Sequence, residues 1–316
     1  MTSLGLAYLA FHAPKPSLGS GMLSRREFLT SAAALPVLPS RLLAAESAAS
    51  LVGTQLYGWG QYYEREGRKL YDHLDEVFSA VRDAGYDYAE GSLDASDPEG
   101  NARFADRFKA KGLKAVAIYT GGRLHDDRAE EAVQRILAGA RVCAQSGYRV
   151  INCNPDPIGR AKTPEELDRQ ARALNLLGGE LGKLGLQLGV HNHTPEMARE
   201  GREYRHNFTA TDPQKVGFCY DVHWVYRGGV EPKAALKEFG DRIVSWHLRQ
   251  SREGIWWEDL APGDIDYRWI AEQSRARKLP QILTVELALE NGTKVTRSVV
   301  ENHRRSREFV KQVFQA

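Results

Sequence analysis

The segment Leu188-Gly189-Val190-His191-Asn192-His193 and three later segments of the same kind decide the fold. They are Phe218-Cys219-Tyr220-Asp221-Val222-His223, Val244-Ser245-Trp246-His247 and Leu283-Thr284-Val285-Glu286. Each is an apolar, strand-like run that ends on a side chain able to bind a metal ion. Side chains of a strand alternate between its two faces, so His191 and His193 point inward if Gly189 does. Four parallel strands of this kind would place His, Asp, His and Glu on one rim.

Strand-like and helix-like runs alternate along the rest of the chain, a pattern typical of a parallel sheet with crossover helices. The predicted strands cover residues 52–57, 86–91, 114–119, 148–154, 186–193, 216–223, 243–248 and 282–287. These elements fill about 265 residues, close to the size of one (β/α)8 barrel. We therefore predict the α/β class, with a single (β/α)8 TIM barrel over residues 50–316 and no second domain.

The helices predicted between these strands rest on apolar periodicity and on capping residues. Leu74, Val77, Phe78 and Val81 form an apolar stripe with helical spacing. The segment Thr163-Pro164-Glu165-Glu166 is a strong helix start, which predicts a helix to about residue 184. Further helices are predicted at 129–146, 232–239, 266–277 and 296–313, and loops at Gly121-Gly122 and Thr194-Pro195-Glu196.

The composition is that of an ordinary globular protein. Of 316 residues, 42% are hydrophobic and 27% are charged, which is enough for a sizeable core. The net charge of +2 gives no support to a nucleic-acid-binding surface. Cys143, Cys153 and Cys219 form no CxxC pair and are interpreted as free core thiols. Strand alternation points Cys219 into the barrel below Asp221.

The first 49 residues are interpreted as a targeting segment. The segment Ser24-Arg25-Arg26-Glu27-Phe28-Leu29 precedes a moderately apolar run and resembles a twin-arginine export signal. Met22 lies just before the arginine pair, so residues 1–21 are interpreted as a mis-assigned start. The apolar run is too short, and too interrupted by Pro36 and Pro39, for a stable membrane span. We expect export by the twin-arginine route to the periplasm or the cell exterior.

The residues that carry chemistry are expected at the carboxyl ends of the strands, where (β/α)8 barrels place their reacting groups. The predicted metal ligands are His191, Asp221, His247 and Glu286. Carboxylates suit Mg²⁺ and Mn²⁺, whereas imidazoles suit Zn²⁺, Co²⁺ and Mn²⁺. The mixed set therefore favours Mn²⁺, with Zn²⁺, Co²⁺ or Mg²⁺ as alternatives.

The chain resembles the xylose isomerase-like TIM-barrel superfamily of sugar phosphate isomerases/epimerases over residues 51–316, most strongly after residue 186. Four segments carry the resemblance. The family's (E/H)-N-H ending of strand five is similar to Gly189-Val190-His191-Asn192-His193, and its D-V-x-W-x-x-x-G-G motif is similar to Tyr220-Asp221-Val222-His223-Trp224-Val225-Tyr226-Arg227-Gly228-Gly229. Its G-R-I-x-x-x-H-L-K-D motif is similar to Asp241-Arg242-Ile243 through His247-Leu248, and its G-x-G-x-I-D-F motif is similar to Pro262-Gly263-Asp264-Ile265-Asp266-Tyr267.

The resemblance implies a metal-dependent sugar or keto-sugar isomerase or epimerase. In that family the metal polarises carbonyl and hydroxyl oxygens. Carboxylates on strands five and eight exchange the proton next to the carbonyl through an ene-diolate. By this correspondence Glu286 is the carboxylate of strand eight, while Asp221 and His247 are the ligands of strands six and seven.

The sequence departs from the family pattern in two places. His191 stands where many members have Glu on strand five, so proton transfer needs another base. The candidates are His191, His193 and Glu196, and histidine suits the task because its pKa lies near neutrality. The same three residues are the alternatives for the ligand from strand five. The second departure is His247-Leu248-Arg249-Gln250 in place of H-x-K-D, and Arg249 could hold an oxygen atom or an anion of the substrate.

The predicted substrate is a small sugar or keto-sugar, because aromatic side chains at the rim suit the apolar faces of sugar rings. The residues expected to contact it are Glu90, Trp59, His223, Arg249 and Trp257. Assembly into a homo-oligomer is left open by the sequence.

The sequence is also compared with three other functions that share this barrel or its site. The first keeps the barrel and metal but makes a 3-keto-glycoside lyase or hydratase that works by β-elimination with a His base; His191 and the export signal favour it. The second is a non-catalytic periplasmic sugar-binding protein with an incomplete metal site. The third, an abasic-site endonuclease, is disfavoured by the near-zero net charge and the export signal.

Overall fold

The computed structural model describes residues 50–316, and the export signal predicted at 1–49 lies outside them. Eight parallel strands form one sheet that curves into a nearly closed barrel. They are β1 (Leu51–Gln55), β2 (Tyr88–Glu90), β3 (Ala117–Gly122), β4 (Val150–Pro155), β5 (Gln187–Val190), β6 (Val216–Asp221), β7 (Ile243–Leu248) and β10 (Ile282–Val285). The antiparallel hairpin β8 (Ser251–Arg252) and β9 (Ile255–Trp256) follows β7. The predicted single (β/α)8 TIM barrel is confirmed.

The strand order is β2-β1-β10-β7-β6-β5-β4-β3. Two isolated parallel bridges, Tyr88 with Lys114 and Ser92 with Tyr119, join the outer strands β2 and β3 and bring the barrel close to closure. Because all eight strands run in the same direction, their carboxyl ends lie on one rim.

Helices surround the barrel and connect successive strands. Those of the described residues are α1 (Leu56–Arg65), α2 (Leu74–Asp83), α3 (Pro98–Ala110), α4 (Ala129–Gln145), α5 (Pro164–Lys183), α6 (Thr194–Thr209), α7 (Val222–Arg227), α8 (Pro232–Phe239), α9 (Tyr267–Ala276) and α10 (Val299–Phe314). The predicted capping box of α5 is present, since Thr163 and Glu166 each accept the other's backbone N–H. Among residues 50–316, no helix combines the length and apolar character needed to cross a membrane.

The predicted carboxyl ends of β1 and β3 are wrong. β1 ends at Gln55, whose side chain accepts the N–H of Tyr57 and starts α1. Residues 56 and 57, predicted as strand, are therefore helical. β3 continues through the predicted Gly121-Gly122 loop, because these glycines keep the register with Asn154 and Pro155 of β4.

Two further boundaries decide how the site is displayed. β5 ends at Val190, so 191–193 lie beyond the strand, and the predicted Thr194-Pro195-Glu196 loop is the first turn of α6. Oε2 of Glu196 accepts the backbone N–H of His193 at 2.7 Å and caps that turn. β6 ends at Asp221, where the carboxylate accepts the N–H of Trp224 at 2.8 Å and starts α7. His223 is consequently helical.

In the barrel interior, glycines on some strands leave room for larger side chains from neighbouring strands. A Cβ at Gly53 would lie 2.3 Å from the Tyr88 ring, so glycine is required there for the tyrosine of β2 to lie across β1. The Tyr88 hydroxyl reaches Thr284 Oγ1 at 2.7 Å on β10, the other neighbour of β1. A Cβ at Gly189 would lie 2.5 Å from Asn152 Oδ1 and 3.2 Å from Cys219 Cβ, which confirms that Gly189 faces the interior. The three cysteines are free and buried, as predicted.

A buried histidine stabilises the contact between the barrel and α10. His303 is completely buried, stacks on Trp59 with ring centroids 4.3 Å apart, and places Nδ1 3.1 Å from the hydroxyl of Tyr86. Burial lowers the pKa of His303 to about 3. Its folded-state pKa is thus below the unfolded value of about 6.5, and the unfolded chain binds this proton first as the pH falls.

We expect this histidine to make the protein acid-sensitive. Above pH 6.5 the titration of His303 does not change the free energy of unfolding. At pH 5 it lowers that free energy by about 2 kcal/mol, and the loss grows as the pH falls towards 3. His303→Phe keeps the stacked ring and removes the titrating group. Urea unfolding at pH 7.5 and pH 5 should show a decrease in stability that is about 2 kcal/mol smaller in the variant. An equal decrease in both proteins would contradict the assignment.

Candidate metal centre and active site

Four side chains meet at the carboxyl-end rim of the barrel. His191 follows β5, Asp221 ends β6, His247 lies on β7 and Glu286 follows β10. Each offers one ligand atom, and these four atoms lie within 4.8 Å of one another. Nε2 of His191 is 3.3 Å from Oδ2 of Asp221, and Nδ1 of His247 is 2.9 Å from Oε2 of Glu286. The four predicted ligands are therefore brought together.

The outward nitrogen of each ligand histidine has its own oxygen partner. Nε2 of His247 lies 3.0 Å from Oε2 of Glu90, and Nδ1 of His191 lies 3.3 Å from Oδ1 of Asn154. Such partners fix the orientation of a metal-binding imidazole and leave its inner nitrogen free for the ion. The inner nitrogens here face the carboxylates of Asp221 and Glu286. Two carboxylates and two oriented imidazoles at one point fit a divalent cation.

The charges of these groups also suit a cation. Burial acts to raise the pKa of Asp221, but the bond to His191 lowers it overall. Burial likewise opposes ionisation of Glu286, while Arg249 and His247 hold its pKa well below the usual range. For His247, burial favours the neutral form, but Cys219, Glu90 and Glu286 raise the pKa well above its usual value. A metal ion would replace the proton of His247, because a ligand imidazole must be neutral.

Arg249 connects the centre to the wall of the barrel mouth. Its Nε donates to the backbone oxygen of Glu286 at 2.8 Å, and Nη2 lies 2.7 Å from the Glu286 carboxylate. The guanidinium lies over the ring of Trp256, with Cζ 4.3 Å from the centroid. Arg249 thus holds the Glu286 carboxylate in place, as well as remaining a candidate for contact with substrate.

His193 and Glu196 occupy different positions although both were predicted as bases. The His193 ring is half-buried, 4.7 Å from the His191 ring and 5.3 Å from that of Trp224. Burial, followed by repulsion from His191, lowers its pKa to about 4, so its imidazole is neutral at pH 7. Burial raises the pKa of Glu196 to about 7, but its charged neighbours are Glu203 and Lys162. Geometry therefore favours His193 as the base.

Two residues predicted to contact the substrate at the barrel mouth are completely buried. Trp59 is completely buried on α1, stacked on His303 and bonded through Nε1 to Thr54, so its position gives no support to its prediction as a sugar-stacking residue. Glu90 is also completely buried, and its carboxylate contacts His247 and Asn152. This position makes Glu90 an orienting partner of His247 and gives no support to a contact with sugar hydroxyls.

The other predicted contacts lie around the barrel mouth. His223 is buried in the first turn of α7, and its ring is 6.0 Å from that of Trp256. Trp257 follows the hairpin, where the guanidinium of Arg252 lies 4.0 Å from its ring centroid. Their roles towards a substrate stay predictions.

Sequence reasoning missed two buried asparagines on β4. The amide of Asn152 donates to Glu90 at 3.0 Å and its oxygen accepts from Ser245 at 2.7 Å. Asn154 is the partner of His191 described above. A signal was available, because Val150-Ile151-Asn152-Cys153-Asn154 is a strand with amides at alternate positions, all facing one side.

Glu90→Gln should weaken metal binding about 10- to 100-fold, because it removes the carboxylate that orients His247. The measurement is a calorimetric titration of the protein with Mn²⁺. Glu258→Gln is the matched control, since Glu258 is an equally buried carboxylate bonded to Thr296 and Asn302. Its Mn²⁺ affinity should stay unchanged, whereas equal losses in both variants would refute the orienting role.

Comparison with protein families gives one match over most of the barrel. The model of the family described as "Xylose isomerase-like TIM barrel" matches residues 78–313. This range contains the four ligand residues of the candidate centre.

Curated relatives are similar over part of their length. An inosose dehydratase from Geobacillus kaustophilus is 23% identical over 222 residues, which cover 65% of this chain and 68% of the relative. An inosose dehydratase from Lacticaseibacillus casei is 29% identical over 91 residues, 29% of this chain. The chain spans only 30% of that relative's length.

Solved structures are similar over nearly their full length. A sugar phosphate isomerase/epimerase from Parabacteroides distasonis has a TM-score of 0.67 at 19% identity and covers 85% of this chain and 96% of its own. An L-ribulose 3-epimerase has a TM-score of 0.66 at 18% identity, with 84% and 95% covered. A 3-keto-D-glucoside 4-epimerase from E. coli has a TM-score of 0.61 at 15% identity, with 83% and 99% covered. At these identities the likeness concerns the fold.

Proposed function

The chain belongs to the xylose isomerase-like TIM barrel family, and on that premise we propose that it is a divalent-metal-dependent sugar or keto-sugar isomerase or epimerase. The observation that carries the proposal is the convergence of His191, Asp221, His247 and Glu286 at the barrel mouth. The named activities of the similar structures, which include a ribulose epimerase and a ketoglucoside epimerase, support the same class.

The protein's own residues provide for proton transfer next to a carbonyl. A divalent ion held by the four ligands, with Mn²⁺ as our first choice, would polarise the carbonyl oxygen of the substrate. Glu286 stays ionised because of Arg249 and His247, and His193 stays neutral because of burial. Each can therefore accept a proton at neutral pH. They come from β10 and from the end of β5, so they can approach a sugar from different sides.

A second candidate is β-elimination from a keto-sugar, and the histidine-rich end of β5 favours it. Elimination from a 3-keto-glycoside breaks the C2–H bond, forms a C1–C2 double bond and expels the group at C1 with its electron pair. One base removes the proton, and a second group can protonate the leaving oxygen. The similarity to inosose dehydratases supports this reading, because a dehydratase removes water by the same kind of step.

Incubation in deuterated water separates the two reactions. The protein, loaded with Mn²⁺, is mixed with a methyl 3-keto-glucoside or with a free ketose, and the products are followed by NMR. Isomerase or epimerase activity places deuterium next to the carbonyl and leaves the glycosidic bond intact. Elimination releases methanol from the glucoside.

The same experiment tests the proposal as a whole. A sample without Mn²⁺ and with a chelator should show neither outcome. If the loaded protein binds sugar but exchanges no deuterium and releases no methanol, a non-catalytic sugar-binding protein replaces both enzyme readings.

We also propose that the enzyme acts outside the cytoplasm. The support is the segment Ser24-Arg25-Arg26-Glu27-Phe28-Leu29, which resembles a twin-arginine signal. Replacing Arg25 and Arg26 by Lys should retain the full-length precursor in the cytoplasm, as measured by cell fractionation. Export that continues unchanged would argue against this route.

A further inference from the structure

One wall of the barrel mouth contains buried hydrogen-bond donors without partners. The residues are Arg249 after β7, Trp256 in β9, and His223 and Trp224 in α7. In the structure from residue 50 onwards, no hydrogen-bond partner is found for Arg249 Nη1, for the indole nitrogens of Trp224 and Trp256, or for either ring nitrogen of His223. Arg249, Trp256 and His223 are 1%, 8% and 0% exposed. We call these four residues the donor cluster.

The members of the donor cluster pack on one another beside the metal ligands. The Arg249 guanidinium carbon lies 4.3 Å from the ring centroid of Trp256 and 5.4 Å from that of Trp224. The two indoles meet edge to face at 5.5 Å, and the His223 ring lies 6.0 Å from Trp256. Through Nη2, Arg249 also holds Glu286 at 2.7 Å. The cluster therefore adjoins the place where a sugar carbonyl would bind.

Nearby protein carboxylates do not serve these donors. Glu290 is bonded to both Nη atoms of Arg227, at 2.8 and 3.0 Å, and accepts the backbone N–H of Trp256. Asp264 accepts from Ser251 and from two backbone N–H groups of the hairpin. A buried donor left without an acceptor is costly, most of all when it is charged. An acceptor from outside the chain is therefore required.

We propose that the donor cluster binds the carboxylate of an acidic sugar, which would make a sugar acid the substrate class of the proposed enzyme. Arg249 Nη1 and the two indole nitrogens are pure donors, so a hydroxyl group bound to these three would find no acceptor for its hydrogen. His223 adds one further donor and one acceptor, because a neutral imidazole carries a single N–H. A carboxylate accepts several hydrogen bonds and gains charge-assisted strength from the guanidinium. Glu290 fixes the backbone of Trp256, so the cluster is ordered before a ligand arrives.

The test measures binding and needs no turnover. The Mn²⁺-loaded protein is titrated calorimetrically with D-glucuronate and with D-glucose, which differ only at C6. Glucuronate should bind at least about tenfold more tightly, as expected for a hydrogen bond to a charged group. Equal affinities, as expected if water satisfies the donors, would overturn the proposal. Tighter binding of glucose 6-phosphate than of glucuronate would overturn the choice of a carboxylate.

Variants locate the effect in the cluster. Trp256→Phe and Trp224→Phe keep an aromatic ring and remove one N–H donor, and each should weaken glucuronate about tenfold or more while leaving glucose unchanged. Because two positions are tested, the result can still be read if one of the two variants folds poorly. Trp269→Phe is the control, because Trp269 lies on α9 beside Lys233. Glucuronate affinity that is retained in both cluster variants would contradict the assignment.

This subsite rests on the proposed function, but the two can fail separately. A preference for glucuronate, with neither deuterium exchange on any ketose nor methanol release from the methyl 3-keto-glucoside, would support the subsite and reject the enzyme. Deuterium exchange without a preference for glucuronate would support the enzyme and reject the subsite.

Discussion

Asp221→Asn should lower the affinity for Mn²⁺ about 100-fold or more and reduce turnover to a trace at micromolar metal. Loss of a partner outside the ligand set already costs about 10- to 100-fold, and this change removes a charged ligand itself. The substitution spares the fold, because the asparagine oxygen can still accept the N–H of Trp224 that starts α7. The measurements are a calorimetric Mn²⁺ titration and an assay of deuterium exchange across Mn²⁺ concentrations.

Asp266→Asn is the matched control. Asp266 caps α9 by accepting the N–H of Trp269 at 3.1 Å, so the same change is made at a second helix start. Its Mn²⁺ affinity and turnover should equal those of the unchanged protein. If Asp221→Asn binds Mn²⁺ as tightly as the control does, the four-residue centre is not the metal site.

The ligand set could be predicted from sequence because three separate rules agree on it. Apolar runs define the strands, strand alternation sets the facing of each end, and parallel strands present those ends on one rim. The bounds of β7 and α8 came out as predicted for local reasons. β7 is buried except at the half-buried Val244, and α8 begins at Pro232, which suits the first turn of a helix.

The orienting partners could not be predicted, because their direction is decided by distant residues. Glu90 ends β2 and looked like a rim residue from sequence. Its side chain points into the barrel because Asn152 of β4 and His247 of β7 both form hydrogen bonds with its carboxylate there. The position of Trp59 on a helix has a more local cause, since the side chain of Gln55 starts α1 immediately after β1.

The hairpin that carries Trp256 shows a further limit. Each of its strands has two residues, too few for a periodic signal. It is held by Asp264, which lies 10 to 13 positions away along the chain, and by Glu290, which lies 34 positions away. Such contacts form only once the barrel has folded, so the donor cluster could not be predicted from the sequence.

His193→Phe should reduce turnover about 10²- to 10⁴-fold, the usual effect of losing a general acid or base. Mn²⁺ affinity should stay within about threefold, because outer partners of a site affect metal binding only when they orient a ligand. Phenylalanine keeps the edge-to-face contacts with His191 and Trp224. His206→Phe is the control, because His206 lies in the later part of α6, beyond a non-helical break at 198–201, and faces Asp168 at 3.1 Å.

The way in which activity is lost distinguishes the two reactions. In an epimerase with Glu286 and His193 on opposite faces, the variant should still exchange deuterium into one epimer through Glu286, while interconversion of epimers stops. In an elimination with His193 as the base, the variant should lose exchange of the C2 proton and release of the group at C1 together. Full turnover in His193→Phe would move the second acid–base role to His191 or Glu196. Because Glu196 faces Glu203 and Lys162, His191 would then have to act as both ligand and base. Mn²⁺ binding and turnover would in that case fall together in His191→Phe.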